Sequence, residues 1–226
     1  MRTVFYERLD DLSGGIAVVC DRNATMMQLA TEALLNTDVD AAERVIDRGP
    51  TILDQCAALE ADTFAILARQ PPLGPDLCIA IGCLKSLADL RRMTALAAHV
   101  ARSSHRRHPL NAVPADVGRY FAEMGYIAFR IANDAKTIVL EQNPDKAPQL
   151  SLADDAMDRI HRQLFAVVMD PDWPYGITTA IDVTLLSRYY ERFADHAVDI
   201  AHRVPYRARQ TIGQGFRTPG AGASCE

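Results

Sequence analysis

The chain has 226 residues, a formal net charge of −5, 49% hydrophobic and 23% charged residues, the balance of a globular protein with one large or two small domains. Its acidity, with no basic stripe to offset it, argues against a nucleic-acid binder. No apolar run approaches the ~18 residues that cross a bilayer, and residues 1–7, which meet acid at once, do not make a signal peptide.

Cys20, Cys56, Cys78, Cys83 and Cys225 are an odd set without a C-x-x-C spacing, so a zinc ribbon and a thioredoxin-type motif are unsupported. Reduced cysteines beside apolar helical positions pack as small hydrophobes, which implies a reducing, cytoplasmic setting. The densest basic cluster, His105-Arg106-Arg107-His108, is short and suits a helix C-terminus, where cations meet the dipole.

In chain order, Leu9, Leu12, Ile16, Val19, Met26, Ala30 and Leu34 recur at helical spacing and predict a helix over 5–36. Gly14-Gly15 weakens it locally, and a glycine beside an apolar stripe lets a neighbour come close. Asn36-Thr37-Asp38 is a turn signal, followed by a second helix over 40–70. Gly49-Pro50 inside that pattern predicts a kink or break near Arg48. Pro71-Pro72-Leu73-Gly74-Pro75 is a stop, and Leu87, Leu90, Met93, Ala97 and Val100 define a third helix over 76–107. After a connector at 109–114, Val117, Phe121, Met124, Ala128, Ile131, Ala135 and Ile138 alternate steps of four and three, the cleanest heptad in the chain. Asn143-Pro144-Asp145 ends it. A fifth helix over 146–169 tolerates Pro148 in its first turn, and the loop Asp170-Pro171-Asp172-Trp173-Pro174-Tyr175-Gly176 leads to a sixth over 177–207. Gly, Thr, Pro, Ala and Ser then dominate residues 208–226, which predicts a disordered tail. The short β-prone pieces at 138–140 and 183–186 lie inside longer helical patterns, so no strand is expected.

The third and sixth helices align at an offset of 100 residues: Leu90 on Tyr190, Arg92 on Arg192, Ala97 on Ala197 and Val100 on Ile200. The second and fifth align at an offset of 105, Ile52 on Met157 and Leu59 on Leu164. The expectation is therefore an all-α protein of two tandem three-helix bundles, six long antiparallel helices in an internal repeat, with residues 1–109 and 110–207 as the two units.

Core positions agree between the copies, but polar ones differ. On the sixth helix Leu186, Tyr190, Phe193, Ala197, Ile200 and Val204 form one apolar face, and Glu191, Asp195, Asp199 and His202 line up opposite. Carboxylates at i, i+4 repel unless a cation sits between them. A second such pair, Asp154/Asp158, lies on the fifth helix; the first copy has Gly49, Leu53, Arg91 and Ala95 at the equivalent positions. One reading is a solvated helix face; the other is a metal site built from both pairs. Asp158-x-x-His161 and Asp199-x-x-His202 echo the Glu-x-x-His of di-iron carboxylate bundles, but the column opposite the apolar stripe points outward and disfavours an oxidase. Neither a phosphate-cradling glycine loop nor an activated nucleophile is evident, so no enzyme is expected. Asp89 is assigned a structural role beside Arg91 or Arg92, and Tyr189 and Tyr190 a role in packing.

The run Tyr190-Glu191-Arg192-Phe193-Ala194-Asp195-His196-Ala197, the paired acid-x-x-x-Asp signatures and the tandem copies resemble the PhoU family of phosphate-transport regulators. Asp89-Leu90-Arg91-Arg92-Met93-Thr94-Ala95-Leu96-Ala97 looks like a degraded form of that family's D-L-E-R-x-x-D-x-A. The resemblance covers residues 1–207. It implies two three-helix bundles, often dimeric, and metal ions, including multinuclear iron or zinc clusters, held on the surface by the motif pairs. Position by position, the metal ligands carry over to Asp154, Asp158, Glu191 and Asp195 only, which gives one site, in the second bundle. It further implies negative regulation of phosphate uptake and signalling, by binding the ATPase subunit of a phosphate ABC transporter and a sensor histidine kinase, with only peripheral contact to membrane complexes. Arg91 is expected to put a fixed charge where the first bundle's metal would have been.

Overall fold

The computed structural model describes residues 2–69 and 74–204. Helix α1 spans Arg2–Asn36, α2 Val39–Arg69, α3 Pro75–Arg107, α4 Ala115–Glu141, α5 Ala147–Val168 and α6 Gly176–His202; a single 3-10 turn, Pro144–Lys146, precedes α5. There is no strand among the described residues. The expected tail at 208–226 and most of the proline-rich stop lie outside them, and α6 ends at His202 rather than running on to Arg207.

The local signals act as their chemistry requires. The Asp38 side chain accepts from the Ala41 amide at 2.9 Å and starts α2. Asn143 accepts from the Asp145 amide at 3.1 Å ahead of α5. Pro75 and Pro148 sit in first turns, where a missing N–H costs nothing. Pro50 does not break α2, which is helical without interruption from Val39 to Arg69. The proline itself is exposed, so its ring adds no bulk to the packed side of the helix. Trp173 donates to the Gly176 carbonyl at 3.0 Å and packs edge-on to Tyr175, ring centroids 5.0 Å apart, which fixes the α5–α6 loop.

Two helical triplets, α1–α3 and α4–α6, form the repeat, but they do not keep separate interiors. Helices α1, α3, α6 and α4 pack in a closed square, each against the next, with α2 laid on the α1–α3 side and α5 on the α4–α6 side. One apolar core runs through all six. At its centre Tyr190 is fully buried, its hydroxyl 2.8 Å from Thr31 Oγ1 and its ring 6.0 Å from Phe121. Gly125 lets α4 approach α1 here: a Cβ at Gly125 would lie 2.5 Å from Thr31 Cγ2. Of the glycine pair in α1, Gly15 sits beneath Leu59, whereas Gly14 faces open space. All seven heptad residues of α4 are buried.

The α3–α6 seam repeats the offset of 100 residues in space. His99 stacks on Tyr189 with centroids 5.2 Å apart, and the repeat mates of those two residues, Asp199 and Asp89, face one another around Arg203. At the far end Arg107 Nε donates to Asp182 Oδ2 at 2.7 Å. The two triplets are thus joined about an approximate twofold between α3 and α6.

Candidate metal centre

Helices α5 and α6 run antiparallel, joined by the Trp173 loop, and a hydrogen bond of 2.9 Å between His161 Nδ1 and Ser187 Oγ sets their register. N-terminal to His161 on α5 come Asp158 and Asp154; C-terminal to Ser187 on α6 come Glu191 and Asp195. All four acids therefore share one seam. Burial, then the charges of Asp195 and Asp158, push the Asp154 carboxyl up to about 6. Glu191 is raised by burial and by Asp195, against the opposing pull of Arg188; Asp195 is raised by burial, with Arg192 opposing and Asp158 reinforcing.

The seam differs from the expected solvent-facing column. Glu191 is only 9% exposed and is ion-paired to Arg188 on its own helix. Asp195 is half-buried and lies 3.6 Å from Arg192. Asp199 and His202 are exposed, and Asp199 is engaged by Arg203 at 3.1 Å, so the column splits after Asp195. The reason is that α6 has three neighbours. Besides its main stripe it buries Ser187, Glu191, Ala194 and Ala201, a second face that a single apolar wheel does not reveal. The outward-facing argument against a di-iron arrangement fails for Glu191 for the same cause.

Two buried oxygens stand out: Asp154 Oδ1 and Glu191 Oε2 have no hydrogen-bond partner among the described residues. An unpaired buried carboxylate oxygen is costly, and a cation bound between α5 and α6 would satisfy both. The donor set, four carboxylates, suits a hard or borderline cation. Asp154, Asp158, Glu191 and Asp195 line one seam, but among the described residues no three of them bring ligand atoms within 4.8 Å of one another; a cation bound there would draw the four together and offset their repulsion.

At the equivalent positions of the first triplet no carboxylate is present. Arg91 of α3 pairs with Glu60 of α2 at 2.5 Å, so its fixed charge serves an ion pair across α2–α3. Leu53 and Ala95 are exposed and Gly49 is buried.

Sequence reasoning missed a cluster on the other side of α6. Asp89 is 9% exposed; it lies 2.9 Å from His196 Nδ1 and is paired with Arg203, contacts that replace the expected ones to Arg91 or Arg92. Asp89, His196 and Asp199 are the group of potential ligands, among the described residues, whose atoms lie within 4.8 Å of one another. A guanidinium already holds both carboxylates, so this cluster is a closed clasp between α3 and α6. The signal was available as Asp89 directly before the buried Leu90, but its partners lie over a hundred residues away.

Comparison with known proteins agrees with this architecture. The family model of the PhoU domain matches twice, at residues 19–104 and 121–204. Over 208 residues the chain is 46% identical to the phosphate-specific transport system accessory protein PhoU homolog 2 of Mycobacterium tuberculosis, covering 92% of this chain and 98% of that one. With PhoU homolog 1 of Mycobacterium leprae it shares 42% over 221 residues, 98% of this chain and 100% of the relative. The crystal structure of PhoU from Pseudomonas aeruginosa superposes with a TM-score of 0.77 at 23% identity, covering 88% of this chain and 96% of that one. The phosphate transport system regulatory protein PhoU of Streptococcus pneumoniae gives 0.79 at 21%, covering 88% and 94%. Tandem domain matches, close relatives over nearly the whole length and a shared six-helix body lead to one conclusion: the chain belongs to the PhoU family.

Proposed function

We propose that this protein is an accessory regulator of phosphate uptake and of the phosphate-starvation response. The observation that carries the reading is its likeness, at 46% and 42% identity, to mycobacterial chains named as phosphate-specific transport system accessory proteins. In this reading it works in the cytoplasm as a homodimeric adaptor. It restrains the system when phosphate is plentiful, by binding the ATPase subunit of a phosphate ABC transporter and a sensor histidine kinase. It catalyses nothing itself; long rigid helical faces are its working parts. Deleting the gene should raise phosphate uptake and starvation-reporter output in phosphate-rich medium, and tagged full-length protein should co-purify with both components. Unchanged uptake and reporter output would overturn the proposal.

The same reading places one iron-, zinc- or other divalent-type cation between α5 and α6, held by Asp154, Asp158, Glu191 and Asp195. Its support is the pair of buried, unpartnered oxygens on Asp154 and Glu191. Elemental analysis of native protein should find metal in wild type and little in Asp154→Asn/Glu191→Gln. Equal metal in both would remove the site from these residues.

A further inference from the structure

Helix α3 is covered by α1, α2 and α6, and its remaining side faces solvent. Lys85, Arg92, His99, Arg102 and Arg106 are all exposed there. The two acids of α3 lie elsewhere: Asp89 is in the clasp with His196 and Arg203, and Asp76, half-buried in the first turn, accepts from Tyr6. The exposed surface of α3 between 77 and 106 therefore carries no carboxylate at all, in a chain whose net charge is −5. Among the described residues Lys85, Arg92 and Arg102 have no ion-pair partner, whereas Arg106 lies 3.8 Å from Asp182.

The spacing is as telling as the charge. The cations and the intervening Ala88 and Ala95, also exposed, follow steps of three and four, a heptad seam on the outside of the protein. A row with that period keeps to one side of a helix, drifting by about 20° per heptad, for about 31 Å from Lys85 to Arg106 at 1.5 Å per residue. The alanines leave shallow positions between the cations where a second backbone can come close. His99 is held flat against Tyr189 of α6, which keeps the middle of the row low. A gently drifting, heptad-spaced row is followed by a second helix wound against it, whereas a phosphate backbone or a lipid surface has no use for that period.

We propose that the exposed face of α3 from Lys85 to Arg106 is a docking surface for an acidic helix of a partner protein, whose carboxylates meet Lys85, Arg92 and Arg102 while its small residues settle over Ala88 and Ala95. This extends the adaptor reading by naming the surface and the chemistry of what it receives, but its physical test does not depend on phosphate regulation.

The test uses the full chain and a labelled, helix-stabilised 21-residue peptide of glutamate and alanine, with glutamates at heptad spacing. Fluorescence anisotropy should give saturable binding that weakens as salt rises from 50 to 300 mM. Arg92→Glu/Arg102→Glu should weaken it by about tenfold or more. Arg44→Glu/Arg159→Glu, which makes the same change in net charge at exposed sites elsewhere, should change it by less than about threefold. Circular dichroism of each variant confirms that the fold is retained. Equal losses from the two pairs, no saturable binding by wild type, or tighter wild-type binding to anionic vesicles or duplex DNA would overturn the proposal. So would self-association of wild type that the Arg92/Arg102 variant abolishes, since the occupant would then be a second copy. In cells, a reversed variant that still captures the transporter ATPase subunit and the kinase at wild-type levels would refute this surface and leave the adaptor reading standing.

Discussion

Asp154 shows what a single side chain can reveal. Its carboxyl titrates at about 6, against 3.8 for an ordinary aspartate, because of burial and then Asp195 and Asp158. The folded state therefore holds the proton more tightly than the unfolded chain does. Stability from this group is complete below the ordinary aspartate value and is lost as pH rises through about 6. In metal-free protein at pH 7.5 the ionised carboxylate is thus a liability, and Asp154→Asn should raise Tm. The gain should shrink toward zero by about pH 4, where both side chains are neutral. Thermal melts of chelated protein across that range provide the check, and an Asn variant less stable than wild type at pH 7.5 would contradict it. If the proposed cation is held by Asp154, adding metal should reverse the order, since wild type alone would keep that ligand.

Between elements, two glycines separate tight contacts that yield from those that do not. A methyl at Gly125 would meet Thr31, a β-branched side chain whose hydroxyl is committed to Tyr190, so Gly125→Ala should cost about 1–3 kcal/mol. At Gly15 the obstacle is the flexible end of Leu59. There the helix-propensity gain of about 1 kcal/mol for alanine over glycine offsets the repacking, and Gly15→Ala should be near neutral. Urea titrations of the two variants test the contrast; similar losses would mean that neither neighbour gives way.

The same scale explains what could be read from the sequence. Helix α4 was legible because all seven residues of its heptad point inward, and the repeat was legible because Leu90/Tyr190 and Val100/Ile200 keep the same core roles. Glu191 was misplaced because α6 buries two stripes, and the second is made of Ser187, Ala194 and Ala201, which hydrophobicity does not flag. Helical spacing puts Asp154 with Asp158 and Glu191 with Asp195 on one face of their own helices, while how deep and how close the two faces lie depends on how α5 packs on α6. The clasp of Asp89 with His196 and Arg203 joins parts of the chain that no local pattern connects. Of the kink or break expected at Pro50, the break does not occur: a proline on the wet side of a packed helix need not interrupt it.

For the whole molecule, the closed square of α1, α3, α6 and α4 makes the two halves interdependent. Separated at the α3–α4 connector, residues 110–204 would expose the apolar sides of α4 and α6 that now lie on α1 and α3. The full chain should melt in one transition, and the isolated half should show no cooperative melt by circular dichroism. A cooperative melt of that fragment would mean that the halves are independent domains after all.

Helix α6 offers carboxylates to α5 on one flank and lies along α3 on the other, inside an interior too dense to absorb a shift by compression. A cation held by Glu191 and Asp195, as proposed, would move or stiffen α6 as a body, and α3 is the wall it leans on. Amides of α3 around Asp89 and His99 should accordingly exchange more slowly with solvent deuterium once metal is added, although no ligand lies on that helix. If their exchange stays the same while α5 and α6 slow, the ion's influence stops at its own hairpin. If it changes, the arginine-bearing side of the protein is under the control of chemistry on the opposite flank of a single helix.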